Sequence, residues 1–275
     1  MTKAMAARSR ATAGWLAAAA LASALTTLVA GCATTGEQAA ATDMSTPPED
    51  SDQRRRARIR LQLASSYYEE GKTEVALDEL KQVLSIDPTF GDAYNLRGLI
   101  YMRLGDANQA TESFRRALAL NPRDADAAHN FGWLQCTQGR YAEAETAFQQ
   151  ALATPIYAGR SRTLMALGVC QARAGQLAEA ERSLSRSYEL DAGNPITGYN
   201  LARILYQKGE FERAQFYIRR LNNSELANAE TLWLGIKVEQ RMNDGAAMGQ
   251  LSDQLRKRFP QSRERASLDR RAFDE

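Results

Sequence analysis

A chain of 275 residues, 44% hydrophobic and 25% charged with mean hydropathy −0.46, carries enough apolar material for a sizeable core and enough polar surface to cover it. Lys and Arg number 35 against 33 Asp and Glu, and no basic block stands out, which excludes an electrostatic nucleic-acid binder. One His and three Cys, with no close pairing, exclude the usual tetrahedral zinc sites, and no phosphate-cradling glycine loop or nucleophile elbow occurs. Neither a cofactor nor catalysis is expected.

The N-terminus reads as an address. Lys3, Arg8 and Arg10 form a positive region, and no charge follows from Ala11 to Gly36. The apolar run ends in "LVAGC", which resembles the bacterial lipobox, where small residues precede a Cys that receives diacylglycerol and becomes the mature N-terminus. On that reading residues 1–31 are a removed signal peptide and Cys32 is the lipidation site. The competing reading is an uncleaved signal anchor, disfavoured because the run is Ala-rich, weakly hydrophobic and interrupted by Gly14 and several Thr. Ala33, rather than Asp, after the Cys favours sorting to the outer membrane, facing the periplasm. Cleavage removes three cations and takes the formal charge from +2 to −1. Residues 32–55 then comprise the lipidated Cys and a flexible tether, whose small, polar, Pro-containing stretch 33–50 spans at most about 60 Å.

From about Arg56 the chain repeats with a period near 34 residues. Small residues recur at Ala64, Gly98, Gly132, Gly168, Ala202 and Gly235, and again at Ala76, Ala110, Ala144, Ala180, Ala214 and Ala247. Turn glycines fall at Gly71, Gly105, Gly139, Gly175 and Gly209. Apolar spacing of three and four residues predicts two helices per unit, with Pro88 and Pro122 closing second helices. The pattern resembles the tetratricopeptide repeat, most fully in Tyr94, Gly98, Tyr101, Ala110, Phe114, Ala117 and Pro122. Six repeats are expected within 56–262, at about 57–90, 91–124, 125–160, 161–194, 195–227 and 228–261. The sixth is degenerate, with Asp244 near its turn, and residues 263–275 read as a charged, solvated cap. The fold class is all-α, a right-handed tetratricopeptide superhelix with a concave surface suited to a peptide or protein.

Helix register places Tyr68, Asn95, Leu99, Met102, Arg103, His129, Trp133, Met165, Val169, Arg173, Tyr199, Arg203 and Tyr206 on the concave side, with Asn130 beside it. Aromatic and Arg side chains suit partner anchoring; ordinary solenoid packing with solvated charge is the competing account of each. His129 has no Ser or Cys at a catalytic spacing and reads as a surface or partly packed residue. Cys136 and Cys170 lie in first helices of neighbouring repeats, and export places them in an oxidising compartment. Either a disulfide or two buried free thiols satisfies the sequence.

The segment "HNFGWLQCTQGRYAEAETAFQQALATPIYAGRSRTLMALGVCQARAG" narrows the resemblance. Asn130, Phe131, Gly132, Cys136, Gly139, Ala144, Phe148, Pro155, Tyr157, Gly168 and Cys170 make it similar to the type IV pilus biogenesis lipoproteins PilF and PilW. Leu164 and Met165 depart from that pattern, which has a second Asn just before the Gly-x-Cys. The resemblance implies a pilotin, a lipoprotein that helps the secretin subunit reach the outer membrane and multimerise. It implies a membrane held through the lipid, a secretin as protein partner, and a chain monomeric by itself. An adaptor for another envelope or peptidoglycan assembly machine is the alternative.

Overall fold

The structure, a computed structural model, describes residues 51–273; Cys32, the signal segment and most of the tether lie outside the described residues. The described chain is helical throughout, in six pairs followed by a short helix. These are α1 (Asp52–Glu69) with α2 (Thr73–Ile86), α3 (Gly91–Leu104) with α4 (Ala107–Leu120), and α5 (Ala125–Thr137) with α6 (Tyr141–Leu152). They continue as α7 (Arg160–Arg173) with α8 (Leu177–Leu190), α9 (Pro195–Gln207) with α10 (Phe211–Asn222), and α11 (Ala229–Arg241) with α12 (Gly245–Arg258), then α13 (Arg263–Asp269). This is the all-α tetratricopeptide solenoid that the repeat pattern predicts.

Local chemistry sets the ends of the helices. Asp106, Asp124, Asn194 and Asp244 cap by accepting backbone N–H groups, and Asn228 and Thr231 form a reciprocal capping box. At the α5–α6 turn Gly139 N–H donates to the Cys136 carbonyl at 3.1 Å and Arg140 N–H to the Gln135 carbonyl at 3.0 Å. That double closure needs a left-handed residue, and Gly139 supplies it at φ 75°. In the sixth repeat Asn243 takes this position at φ 58°, so the turn is kept without glycine because Asn tolerates the left-handed region.

Each pair closes on its small residues. A Cβ added at Gly98 would lie 2.5 Å from the Phe114 ring, and one at Gly168 would lie 2.6 Å from Leu184 Cγ and 3.1 Å from the Ala180 carbonyl oxygen. The second helices bury the matching face, with Ala110, Phe114, Ala144, Phe148, Ala180 and Leu184 fully enclosed. Ala247 in the last pair is only half-buried, consistent with a repeat that ends the stack.

The pairs stack with a bend. Each first helix approaches the next first helix closely along its backbone, from α1–α3 through α9–α11, whereas among the described residues no two second helices come that close, and α8 and α10 meet only through long side chains such as Glu181 with Arg213 and Tyr188 with Tyr217. Helices that converge on one side and diverge on the other place the first-helix face on the inside of the curve.

Two boundaries differ from the sequence reading. Helix α1 begins at Asp52, inside the stretch assigned to the tether, because the Ser51 side chain accepts the Arg54 N–H at 3.1 Å and starts the helix there. The charged cap is a packed element: α13 lies against α11 and α12, Leu268 is buried with Leu232, Ile236 and Leu255, and Phe273 stacks on Trp233 at 5.5 Å. Its charges face outward while its few apolar residues seal the last core.

Candidate protein-binding groove

The inner face of the middle repeats is built by α5, α7 and α9. Their register brings Trp133, Met165, Val169, Arg173 and Arg203 around an apolar recess of about 470 Å³, floored by His129 and edged by Ile196. A second recess of about 660 Å³ adjoins it, lined by Tyr199, Arg203, Tyr206, Trp233, Lys237 and Arg241, with Glu230 and Glu264 at its margin. Arg203 belongs to both. Trp233, Lys237, Ile196 and Asn200 were not singled out from the sequence, although they fall at the register of α9 and α11 that would have found them.

The remaining inner-face residues join neighbouring repeats instead of lining a recess. Arg103 lies 3.6 Å over the Tyr68 ring and donates to the Tyr68 carbonyl. Asn130 Nδ2 donates to Asn95 Oδ1 at 3.0 Å, tying α5 to α3, which gives Asn130 a role. Met102 and Leu99 pack against the cluster around Phe114.

His129 requires correction as a partner-contact residue. Its side chain is 8% exposed, its Nδ1 lies 2.9 Å from Thr163 Oγ1, and its ring is 5.8 Å from that of Phe148. Thr163 donates to Tyr157 Oη at 3.1 Å and Tyr157 donates to Asp126 at 3.3 Å, so Nδ1 carries the proton in this relay. The α6–α7 connection, carrying Tyr157, closes over a His that helix register alone leaves at the surface or only partly packed. Burial, and then the nearby Arg162 cation, push its pKa from 6.5 down to about 4, against an opposing pull from Asp126.

The sign of the consequence follows. The unfolded chain takes up the proton below about pH 6.5 and the folded chain only near pH 4, so stability present above that window is lost as pH falls through it. At pH 5 the expected loss is about 2 kcal/mol. Thermal unfolding of the parent and of His129→Gln at pH 7 and pH 5 checks this; equal pH sensitivity in the two would contradict it.

Cys136 on α5 and Cys170 on α7 are joined as a disulfide, their Cα atoms 5.7 Å apart. Both are buried beneath Trp133, with Phe148 and Ala166 alongside. The Arg173 guanidinium sits 5.3 Å from the Trp133 ring, so the aromatic is held from below by the bridged core and from one side by a cation.

Glu239, the fully buried carboxylate near the C-terminal end, is occupied by Arg219 at 2.7 and 2.9 Å and by Gln215 at 2.8 Å. Among the described residues no group of three or more His, Cys, Asp or Glu is placed to hold a metal ion, and no helix is long and apolar enough to cross a membrane.

Known proteins share this fold. Residues 64–105, 90–154, 129–195 and 199–225 match tetratricopeptide-repeat families. The type IV pilus assembly protein PilF of Pseudomonas aeruginosa is 30% identical over 235 residues, which cover 85% of this chain and 90% of that protein. The structure of Pseudomonas aeruginosa PilF superposes with TM-score 0.73 at 28% identity, covering 79% of this chain and 99% of that one. That of PilW, described as a widely conserved type IV pilus biogenesis factor, superposes with TM-score 0.72 at 31% identity, covering 77% and 97%. A bent stack of helix pairs, an aromatic and arginine-lined inner face and this likeness over most of both chains agree: the chain belongs to the PilF/PilW family of tetratricopeptide proteins that serve type IV pilus biogenesis in the cell envelope.

Proposed function

We propose that this protein is a pilotin: an outer-membrane lipoprotein, anchored through Cys32, that binds the pilus secretin subunit and promotes its outer-membrane localisation and multimerisation. The observation carrying the reading is the inner-face groove of repeats three to six, which offers Trp133, Tyr199, Tyr206 and Trp233 among cations on a scaffold of the pilus family. Large aromatic and Arg side chains are the usual anchors of protein interfaces. The lipobox-like "LVAGC" supplies the membrane end, since several acyl chains on one residue hold a protein to a bilayer stably where a single chain does not.

The test is genetic and biochemical together. Deletion is expected to abolish the heat-resistant secretin multimer and twitching motility, and Cys32→Ala is expected to misplace the secretin while the repeats remain folded. Normal multimers in the deletion strain would remove the pilotin reading, and a correctly placed secretin in the Cys32→Ala strain would remove the anchor's part in it.

A further inference from the structure

Four positions one repeat apart on the inner face are Asn95, Asn130, Met165 and Asn200. The first two bond each other across the helices. Met165 breaks the series, so Asn200 turns back on its own helix, donating to the Ile196 carbonyl at 2.8 Å and accepting from Arg203 Nη2 at 2.9 Å. Where the polar ladder stops, the wall becomes Trp133, Met165, Val169 and Ile196, and Ile196 is left 53% exposed although apolar. Its exposure is not isolated, because Ile196 continues the apolar lining of Trp133, Met165 and Val169 into one patch of the kind that marks contact surfaces.

Charge is arranged around that recess with one sign. The two adjoining recesses are lined by Arg162, Arg173, Arg203, Lys237 and Arg241 against Glu230 and Glu264, while the buried His129 is neutral at pH 7. Arg162 is held by Asp126 at 2.7 Å. Among the described residues no carboxylate pairs with Arg173 or Arg203. Arg203 also buries its Nε–H with no acceptor, a donor whose desolvation nothing offsets within the described chain.

We infer that the recess of repeats three to five receives an extended, acidic segment of a partner protein, with one bulky aliphatic or aromatic side chain seated among Trp133, Met165, Val169 and Ile196. An adjacent Asp or Glu side chain accepts from Arg203 and Arg173. The apolar side chain supplies burial and the carboxylate neutralises guanidinium groups that no carboxylate pairs with among the described residues, so the two contacts reinforce each other only when apolar and acidic residues are neighbours. A peptide with a basic neighbour meets Arg173 and Arg203, which no carboxylate pairs with among the described residues, and is rejected.

The inference rests on the pilotin reading for the identity of the partner, and its test therefore uses generic peptides. Full-length lipoprotein in detergent is titrated against labelled, C-terminally amidated peptides carrying a central Leu flanked by Glu, by Gln or by Lys. The Glu peptide is expected to bind most tightly and the Lys peptide about tenfold or more weakly, with the difference shrinking at high salt. Ile196→Asp and Arg203→Gln are each expected to weaken the Glu peptide about tenfold while leaving the melting temperature near the parent's; Arg173→Glu, at an exposed position, provides a third variant if either unfolds.

Equal binding of the three peptides, no binding by any of them, or indifference of the Glu peptide to folded variants would overturn the inference. A dimer of the full chain that Ile196→Asp dissociates would assign the recess to a second copy and overturn it as well. Groove-dependent binding of the Glu peptide alongside normal secretin multimers in a deletion strain would remove the pilotin reading and leave this one. Loss of multimers on deletion with no discrimination among peptides would do the reverse.

Discussion

Gly132→Leu is expected to destabilise the protein by about 3 kcal/mol or more, lowering the melting temperature by roughly 6–12 °C for a chain of this size. The Cβ alone would stand 2.9 Å from the Phe148 ring. That ring cannot retreat, because Phe148 is fully buried, the His129 ring lies 5.8 Å from it, and the bridged cysteines share its cluster. The helices of the third pair must separate to admit the new side chain, and each neighbouring pair then loses part of its own interface. Gly132→Ala should show a smaller loss in the same direction. Melting of the leucine variant at the parent's temperature would mean that Gly132 does not sit at the closest approach of α5 and α6.

Removing the disulfide ranks with it. The bond closes a loop between residues 34 apart in sequence, and chain-entropy reasoning assigns such a loop about 4 kcal/mol, through restriction of the unfolded state. Double replacement of Cys136 and Cys170 by Ala, or reduction of the parent, is expected to cause a comparable loss that reductant no longer adds to in the double variant. Alkylation without reductant should leave both thiols unlabelled in protein recovered from cells. Two labelled thiols under those conditions would end the assignment.

The repeats were legible because their physics is local. A position where two helices touch admits only Gly or Ala, and a helix stop in the left-handed region favours Gly, so both recur with the period of the fold. The family segment was legible for the same reason, since most of its marked residues, including Gly132, Phe148 and Gly168, are packing positions. The groove was legible in part: register found Trp133, Arg173, Tyr199, Arg203 and Tyr206, which do line the recesses.

What was missed depends on segments far along the chain. His129 reads as a surface or partly packed residue until Tyr157, on the α6–α7 connection, and Thr163 on α7 close over it. Residues 263–275 look solvated by composition, and only their placement over α11 gives Leu268 and Phe273 something to cover. The sixth turn looks degenerate by its missing glycine, whereas the requirement is a positive φ that Asn243 also meets. The departure at Met165 was visible, but its effect was not, since an interrupted polar ladder matters only once Asn130 and Asn200 are seen to lie on either side of it.

The Cys136–Cys170 bond ties α5 to α7 within the cluster against which Trp133 packs. Solenoids of stacked pairs flex by small rotations between neighbours, and those rotations would open or pinch a groove that spans several repeats. A covalent tie between α5 and α7 restricts that freedom between repeats three and four, at the Trp133 end of the groove, and leaves it to the later repeats. Under the proposed binding role, the wall around Trp133 therefore holds its shape before a partner arrives, and more of the entropy lost on docking falls on the incoming segment than on the receptor.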